Sequence, residues 1–409
     1  MSDIFVAFPS VTANNTVIFG KNSDRPASEI QEVVYFSGAQ HDPGSKVKCT
    51  FVEIEQVEQT YNVILSKPTW CWGAEMGAND KGVCVGCTSV WTKLCHQGEH
   101  ADKLIGVDFV RLALERAKSA REGVDVITSL LEKHDQGGQN THDVNFGQWT
   151  YNNSFLVVDH SEAWVLDTAG QFWAAKKFTS GVLNISSALS ITTEMDLSSA
   201  GLTEAAISAG YWKADQGNLN FAQAFDAEFS GLSLAETQLP NNRVKRGKEL
   251  MEKIVDKGKF LLENMMEILR DEDGSINFAG DILTVGSQVS MLTEPASPSP
   301  DSHWFTCTPN TSVSVFKPFI FCPDIDIGNI TVASSVDKHH KLYDAHEKKR
   351  TIMEEKCPSG EKLRGIMMAL ERQCLNDIQD YLQNFPKDLV NESRDLFKDV
   401  AESEVKFYR

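Results

Sequence analysis

Strand-like runs of apolar residues alternate with turn chemistry at the start of the chain. Residues 4–8 form one such run. A break follows at Pro9-Ser10 and Asn14-Asn15, and a second run covers residues 16–20, a pattern that predicts a hairpin. Residues 50–57 and 61–65 continue in the same style. Residues 82–88 show no polar alternation, as expected of a strand covered on both faces. The period lengthens to that of a helix over residues 108–117 and 123–133, with Gly137-Gly138 as a stop signal. Strands return at 154–159, 162–167 and from Phe172, which reads as a meander. Residues 203–270 are mainly helical, most clearly over 260–270, and strand candidates follow at 288–292, 304–306 and 315–321. After Val336, charged residues surround spaced Leu, Ile, Met and Phe, predicting two or three amphipathic helices packed on the main body. The expected division is therefore a main domain over residues 1–335 and a helical extension over 336–409. Strand groups each followed by helices place the main domain in the α+β class, and periodicity alone does not choose among its layered arrangements.

Composition narrows the partners. The chain has 409 residues and 41% hydrophobic residues, enough for a substantial core and too many for intrinsic disorder. Lys and Arg number 39 against 57 Asp and Glu, and the net charge of −18 repels phosphate backbones and anionic lipid surfaces, so no nucleic-acid partner is expected. No apolar run reaches the ~18 residues needed to span a bilayer. The opening residues carry Asp3 and no basic stretch, unlike a secretory signal, which predicts a cytoplasmic protein. Nine cysteines, an odd number spread thinly, fit reduced thiols better than a disulfide framework.

Several enzyme signatures are absent: no His-Glu-x-x-His, no Gly-rich phosphate loop, no dinucleotide fingerprint and no Gly-x-Ser-x-Gly elbow. Cys84 and Cys87 form a Cys-x-x-Cys pair with Cys95-His96 beyond it. On a strand those two cysteines face opposite ways, so core thiols are a better reading than a zinc site. His339-His340 in the charged tail reads as solvated surface. Neither metal nor cofactor is expected.

Three places carry candidate chemistry. Ser2 follows the initiator Met, and removal of Met1 would leave a hydroxyl and a free α-amine on one residue. The amine, with an ordinary pKa of about 7.7–8.0, can accept the hydroxyl proton without a separate histidine. The competing reading is that Met-Ser is a common protein start. Lys21-Asn22-Ser23-Asp24-Arg25, directly after the second predicted strand, sets two cations and a carboxylate near the chain terminus. Lys21 or Arg25 would meet a substrate carboxylate, and a solvated turn is the plain alternative. The stretch from Trp70 to Gly82 is rich in Gly and Trp and includes Trp72. Its glycines allow close backbone approach to a ligand and Asn79 has a donor for an oxyanion, whereas the plain alternative is an Asn-Asp-Lys-Gly turn with core Trp residues.

With these residues in view, the sequence resembles the secernin family, eukaryotic relatives of bacterial cysteine dipeptidases among N-terminal-nucleophile hydrolases. The similar segments run in order along the chain: Phe19-Gly-Lys-Asn-Ser-Asp-Arg-Pro26, residues 30–36, Trp72-Gly-Ala-Glu-Met-Gly-Ala-Asn79, Gln136-Gly-Gly138, residues 162–166, 189–193 and 314–321. The resemblance implies a four-layer αββα hydrolase sandwich with additional C-terminal helices, hydrolysis of amide bonds in short peptides, and for animal members a role in regulated exocytosis. It also implies that Lys21 takes the basic place and Asp24 the acidic place beside the nucleophile, that Asn79 is the oxyanion asparagine, and that Asn184 is a loosely matched further asparagine. Secernins expose a cysteine shortly before the Phe-Val-Ala segment. Here Ser2 stands at the corresponding chain start and no cysteine precedes Cys49.

Two functions follow. One is a dipeptidase-like hydrolase acting on a small peptide substrate, with Ser2 attacking, Asp24 and Asn79 assisting, and Lys21, Arg25, Trp72 and Asn184 binding substrate. The other is a non-catalytic regulator of exocytosis that keeps the hydrolase scaffold and meets a secretory-machinery protein or a second copy of itself.

Overall fold

The computed structural model describes residues 1–95, 101–227, 234–355, 357–383 and 393–409. The expected opening hairpin is present: β1 (Ser2–Ala7) pairs antiparallel with β2 (Val17–Pro26), Ser2 opposite Ser23 and Ala7 opposite Ile18. Next come β3 (Gln31–Phe36), β4 (Lys46–Lys48), β5 (Glu53–Glu55), β6 (Val63–Pro68), β7 (Met76–Asn79) and β8 (Cys84–Val90). The meander is β9 (Asn152–Val158), β10 (Ala163–Ala169) and β11 (Phe172–Phe178), followed by β12 (Val182–Ile185) and β13 (Leu197–Ser198). Late strands are β14 (Ile282–Leu292), β15 (Ser302–Phe305) and β16 (Lys317–Phe319). They form a six-stranded sheet in the order β12-β1-β2-β14-β15-β16 and an eight-stranded sheet in the order β13-β11-β10-β9-β8-β7-β6-β3, with β4 and β5 as a separate ribbon.

The two sheets face each other across an apolar core that includes Ile4, Val6, Phe19, Ile64, Cys84 and Leu156. Helices α1 (Gly106–Arg116) and α2 (Ala120–His134) cover the outer face of the eight-stranded sheet through a second core. After α3 (Leu202–Ser208) and α4 (Phe221–Phe225), α5 (Leu234–Lys257) and α6 (Leu262–Leu269) cover the outer face of the six-stranded sheet over a third. The order is helix, sheet, sheet, helix, so the molecule is a four-layer αββα sandwich.

This layering explains the sequence pattern. In β1, Ile4 and Val6 enter the inter-sheet core while Phe5 and Ala7 enter the outer core, so all six residues are buried and the strand carries a near-continuous apolar run. Among the described residues of the tail are three helices: α7 (Lys341–Glu354), α8 (Pro358–Gln383) and α9 (Leu396–Phe407). Both α8 and α9 pack on β16, where Lys317 Nζ meets Glu404 Oε2 at 2.7 Å, fully buried.

Two expectations need correction. The charged segment 21–25 is no solvated turn, because β2 continues through it and every one of its residues is buried. Its charges survive burial because each has a counter-charge, as detailed below. The strand expected over 50–57 shrinks to β5, whose Glu53 and Glu55 face solvent in the small ribbon.

Candidate active site

Strand alternation fixes what surrounds the chain start. Ser2 shares a face with Ile4 and Val6 and points between the sheets. Its Oγ accepts the Asp24 backbone N–H at 3.3 Å, its own N–H donates to Ser187 Oγ at 3.1 Å, and its carbonyl accepts Thr88 Oγ1 at 3.0 Å. Thr88 Oγ1 and Ser187 Oγ lie 2.9 Å apart, and Ser89 Oγ is 3.4 Å from Ser187 Oγ. Hydroxyls from β8 and the segment after β12 thus surround the Ser2 backbone. The Met1 amine donates to the Asp24 carbonyl at 3.4 Å. Burial pushes that amine down to about 6; Asp24 opposes the shift and Arg243 adds to it.

The Asp24 carboxylate lies on the other face of the same strand pair. It shares that face with Asn22, whose Nδ2 donates to the carbonyls of Leu269 and Ile276 at 2.8 Å each. Asp24 Oδ1 accepts Thr284 Oγ1 at 2.6 Å, and Oδ2 accepts Arg243 Nη2. Arg243, on α5, also donates from Nε to Asp3 Oδ2 at 2.8 Å, and all three side chains are fully buried. Burial pushes the Asp3 carboxyl up to about 6 against the pull of Arg243. Burial disfavours the Arg243 charge as well, but Asp3 and Asp24 together hold it above its usual range. Arg243 Nη1 and Asp3 Oδ1 are buried with no hydrogen-bond partner among the described residues.

Lys21 and Arg25 project between the sheets with Ser2, but neither offers a free charge. Lys21 Nζ meets Glu75 Oε2 at 3.1 Å, and its stem crosses Gly86, where an added Cβ would sit 2.6 Å from Lys21 Cδ. Arg25 donates from Nε to Glu29 at 2.8 Å, from Nη1 to Glu75 at 3.2 Å and Tyr151 at 3.0 Å, and from Nη2 to the Asn140 carbonyl at 2.6 Å. All of Arg25's donor groups are engaged, which argues against its binding a substrate carboxylate.

Asn79 is not beside Ser2. Its Nδ2 donates to the carbonyls of Leu114 at 2.8 Å and Ala117 at 2.7 Å, while its Oδ1 accepts the N–H groups of Lys81 and Val83. Both amide hydrogens are used in tying the end of α1 to a turn that closes at Gly82, φ +77°, so the expected oxyanion role has no donor. Met76 pairs with Gly86 and Ala78 with Cys84, which puts Asn79 roughly 16 Å along the strands from Thr88 at about 3.3 Å per residue. Trp72 belongs to the α1 side, with the Arg111 guanidinium 4.2 Å over its ring. Asn184, opposite Phe5, donates to the Val244 carbonyl at 2.9 Å and seats the turn of α5 that carries Arg243.

The structure thus gathers Ser2, the Asp24 backbone, Lys21 and Arg25 at one end of the hairpin and leaves Asn79 and Trp72 elsewhere. Sequence reasoning passed over Arg243, Glu75, Thr88, Ser187 and Thr284. Glu75 lay within a segment already singled out, and a buried-face position in β2 with a cation on it was a signal to search for its acid. Nothing marked Arg243 among the neighbouring cations of α5.

Among the described residues no group of three or more His, Cys, Asp or Glu is placed to hold a metal ion. Cys84 lies in the inter-sheet core and Cys87 in the outer one, each thiol pushed up by burial, while His96 lies outside the described residues. His340 departs from expectation: it is buried at the start of α7, where Nδ1 accepts the Tyr343 N–H at 3.1 Å. No described helix is long and apolar enough to cross a membrane.

No family model matches the chain. Among solved structures, a point mutant of conjugated bile acid hydrolase from Clostridium perfringens is 13% identical, with a TM-score of 0.45, over 78% of this chain and 92% of that one. Penicillin V acylase from Agrobacterium tumefaciens is 10% identical, TM-score 0.43, over 81% and 89%. A Caenorhabditis elegans ortholog of N-acylethanolamine-hydrolyzing acid amidase is 13% identical, TM-score 0.35, over 72% and 94%. The αββα assignment rests on the sheet order and layering of this chain.

Proposed function

We propose that this chain is a secernin-like hydrolase of short peptides in which Ser2, freed by loss of Met1, is the nucleophile. The observation that carries the reading is the surroundings of Ser2. Its Oγ faces between the sheets and its nitrogen is held in a cluster of hydroxyls, with the buried Asp24–Arg243 ion pair on the opposite face of the strand pair. Once Met1 is removed, the Ser2 nitrogen becomes an amine in a desolvated place. Burial favours its neutral form, which is the form that accepts a proton. The amine takes the Oγ proton as Oγ attacks the substrate carbonyl carbon. The C–N bond then breaks, and the leaving amine carries away the proton that the Ser2 amine held. Water, deprotonated by the same amine, releases the acyl group from the resulting ester. The Asp24 N–H, which donates to Ser2 Oγ, and the Thr88 and Ser187 hydroxyls around the Ser2 backbone are the donors this reading assigns to the developing oxyanion. Asp24 and Arg243 are positioning residues that hold β1 against β2 and α5. Lys21 and Arg25 brace Glu75 behind the nucleophile.

One observation favours a second reading, a non-catalytic regulator of exocytosis. Ser2 is only 3% exposed, and it lines neither the cavity of about 390 Å3 nor the one of about 250 Å3. Intact-mass measurement separates the two. A free Ser2 terminus with dipeptide cleavage, lost in Ser2→Ala and retained in Ser2→Cys, is the expected result. Equal turnover by Ser2→Ala, or an acetylated or Met1-retaining protein with no turnover, would overturn the hydrolase.

A further inference from the structure

The outer layer of the six-stranded sheet holds a cavity of about 390 Å3 between the turn after β1, the start of α6, the β14–β15 hairpin and α8. This volume falls within the roughly 300–1,000 Å3 of small-ligand pockets. Phe260, Met291, Trp304 and Leu382 give it an apolar wall. Glu263 and Glu294 are the charged residues lining it, and no Lys, Arg or His is among the described lining residues. Glu263 Oε1 accepts Gln379 Nε2 at 2.9 Å, while its Oε2 is buried with no hydrogen-bond partner among the described residues. Glu263 stands in the first turn of α6, at the positive end of the helix. An unmet buried acceptor is costly, and a ligand that donates to it removes that cost.

We propose that this cavity binds a primary ammonium carried on an apolar body, the ammonium donating to Glu263 Oε2 and the body filling the space beside Met291 and Trp304. A cation is favoured because both charged lining residues are acidic, and an apolar body because Phe260, Met291, Trp304 and Leu382 form one wall, while Thr and Ser side chains line part of the remainder. The site is separate from Ser2. Ile18, which lines it, lies five residues along β2 from Ser23 and faces the outer core, roughly 16 Å away at about 3.3 Å per residue. The inference therefore stands independently of the hydrolase. A free amine and the amino end of a short apolar peptide share this chemistry.

Titration calorimetry of the full chain tests it with 2-phenylethylamine, 2-phenylethanol, 3-phenylpropionate and Phe-Ala amide. The amine is expected to bind at least tenfold more tightly than the alcohol, with no heat from the carboxylate. Glu263→Gln, which keeps an acceptor for Gln379, is expected to weaken the amine at least tenfold. Leu382→Trp, which fills the cavity with Glu263 intact, is expected to abolish binding, and an unchanged melting temperature verifies the fold of each variant. Binding of Phe-Ala amide alongside the amine supports the proposal and assigns peptide amino ends; its exclusion supports the proposal and assigns free amines. Equal binding of amine and alcohol, no effect of Glu263→Gln, or no heat from the amine overturns it.

Discussion

Arg243 joins three segments far apart in the chain: α5 itself, the first strand through Asp3 and the second through Asp24. The guanidinium also lies 5.2 Å from the centre of the Phe278 ring. Removing one member of a buried charge group leaves the others uncompensated, at a cost of about 3–5 kcal/mol. Arg243→Met is therefore expected to destabilise the protein by about that amount in urea unfolding, with two carboxylates left facing each other. Asp3→Asn is expected to cost less, because its burial already favours the protonated form. If Arg243→Met unfolds at the wild-type urea midpoint, the ion cluster is not holding the hairpin.

The hairpin of β1 and β2 is the element on which the chain start depends. Its inner face carries cations that a sheet interior accepts only because Glu75 and Glu29 stand opposite them. Lys21 reaches Glu75 by passing over Gly86 of the facing sheet, where no side chain occupies the space. Gly86→Val is therefore expected to displace Lys21 and destabilise by about 1–3 kcal/mol, as overpacking does, and more if the ion pair breaks. A crystal structure of that variant with Lys21 unmoved would contradict this account. At the far edge of the same sheet, Lys317 depends on Glu404 of α9. Glu404→Leu strands a buried ammonium, and a loss of about 3–5 kcal/mol is expected in chemical denaturation.

At the scale of the whole molecule, acid stability follows from buried histidines. Burial pushes His303 and His340 down to about 4 and His346 to about 3, so they remain neutral in the folded state. The unfolded chain protonates its histidines below about 6.5 and the folded one does not, so stability is lost as pH falls from about 6.5 towards 4. Asp3 and Asp108, both raised to about 6 chiefly by burial, act the other way: they favour the fold as pH falls through that value. His346→Gln is expected to lose less stability than the wild type between pH 7 and pH 4.5, measured by urea unfolding at each pH. An identical loss would mean that His346 is protonated in the fold. The sequence by itself determined the opening hairpin, the meander of β9 to β11, helices α1, α2 and α6 and the helical tail, because each follows from the spacing of apolar residues along one segment. It also marked Ser2 and the segment 21–25 as chemically unusual. The tertiary structure alone decided which charges meet. Lys21 and Glu75, Arg243 and Asp3, and Lys317 and Glu404 are 54, 240 and 87 residues apart, and local periodicity has no record of partners brought together by folding. For the same reason Asn79 looked available in the sequence: the carbonyls of Leu114 and Ala117 that occupy it come from a helix 35 residues or more downstream.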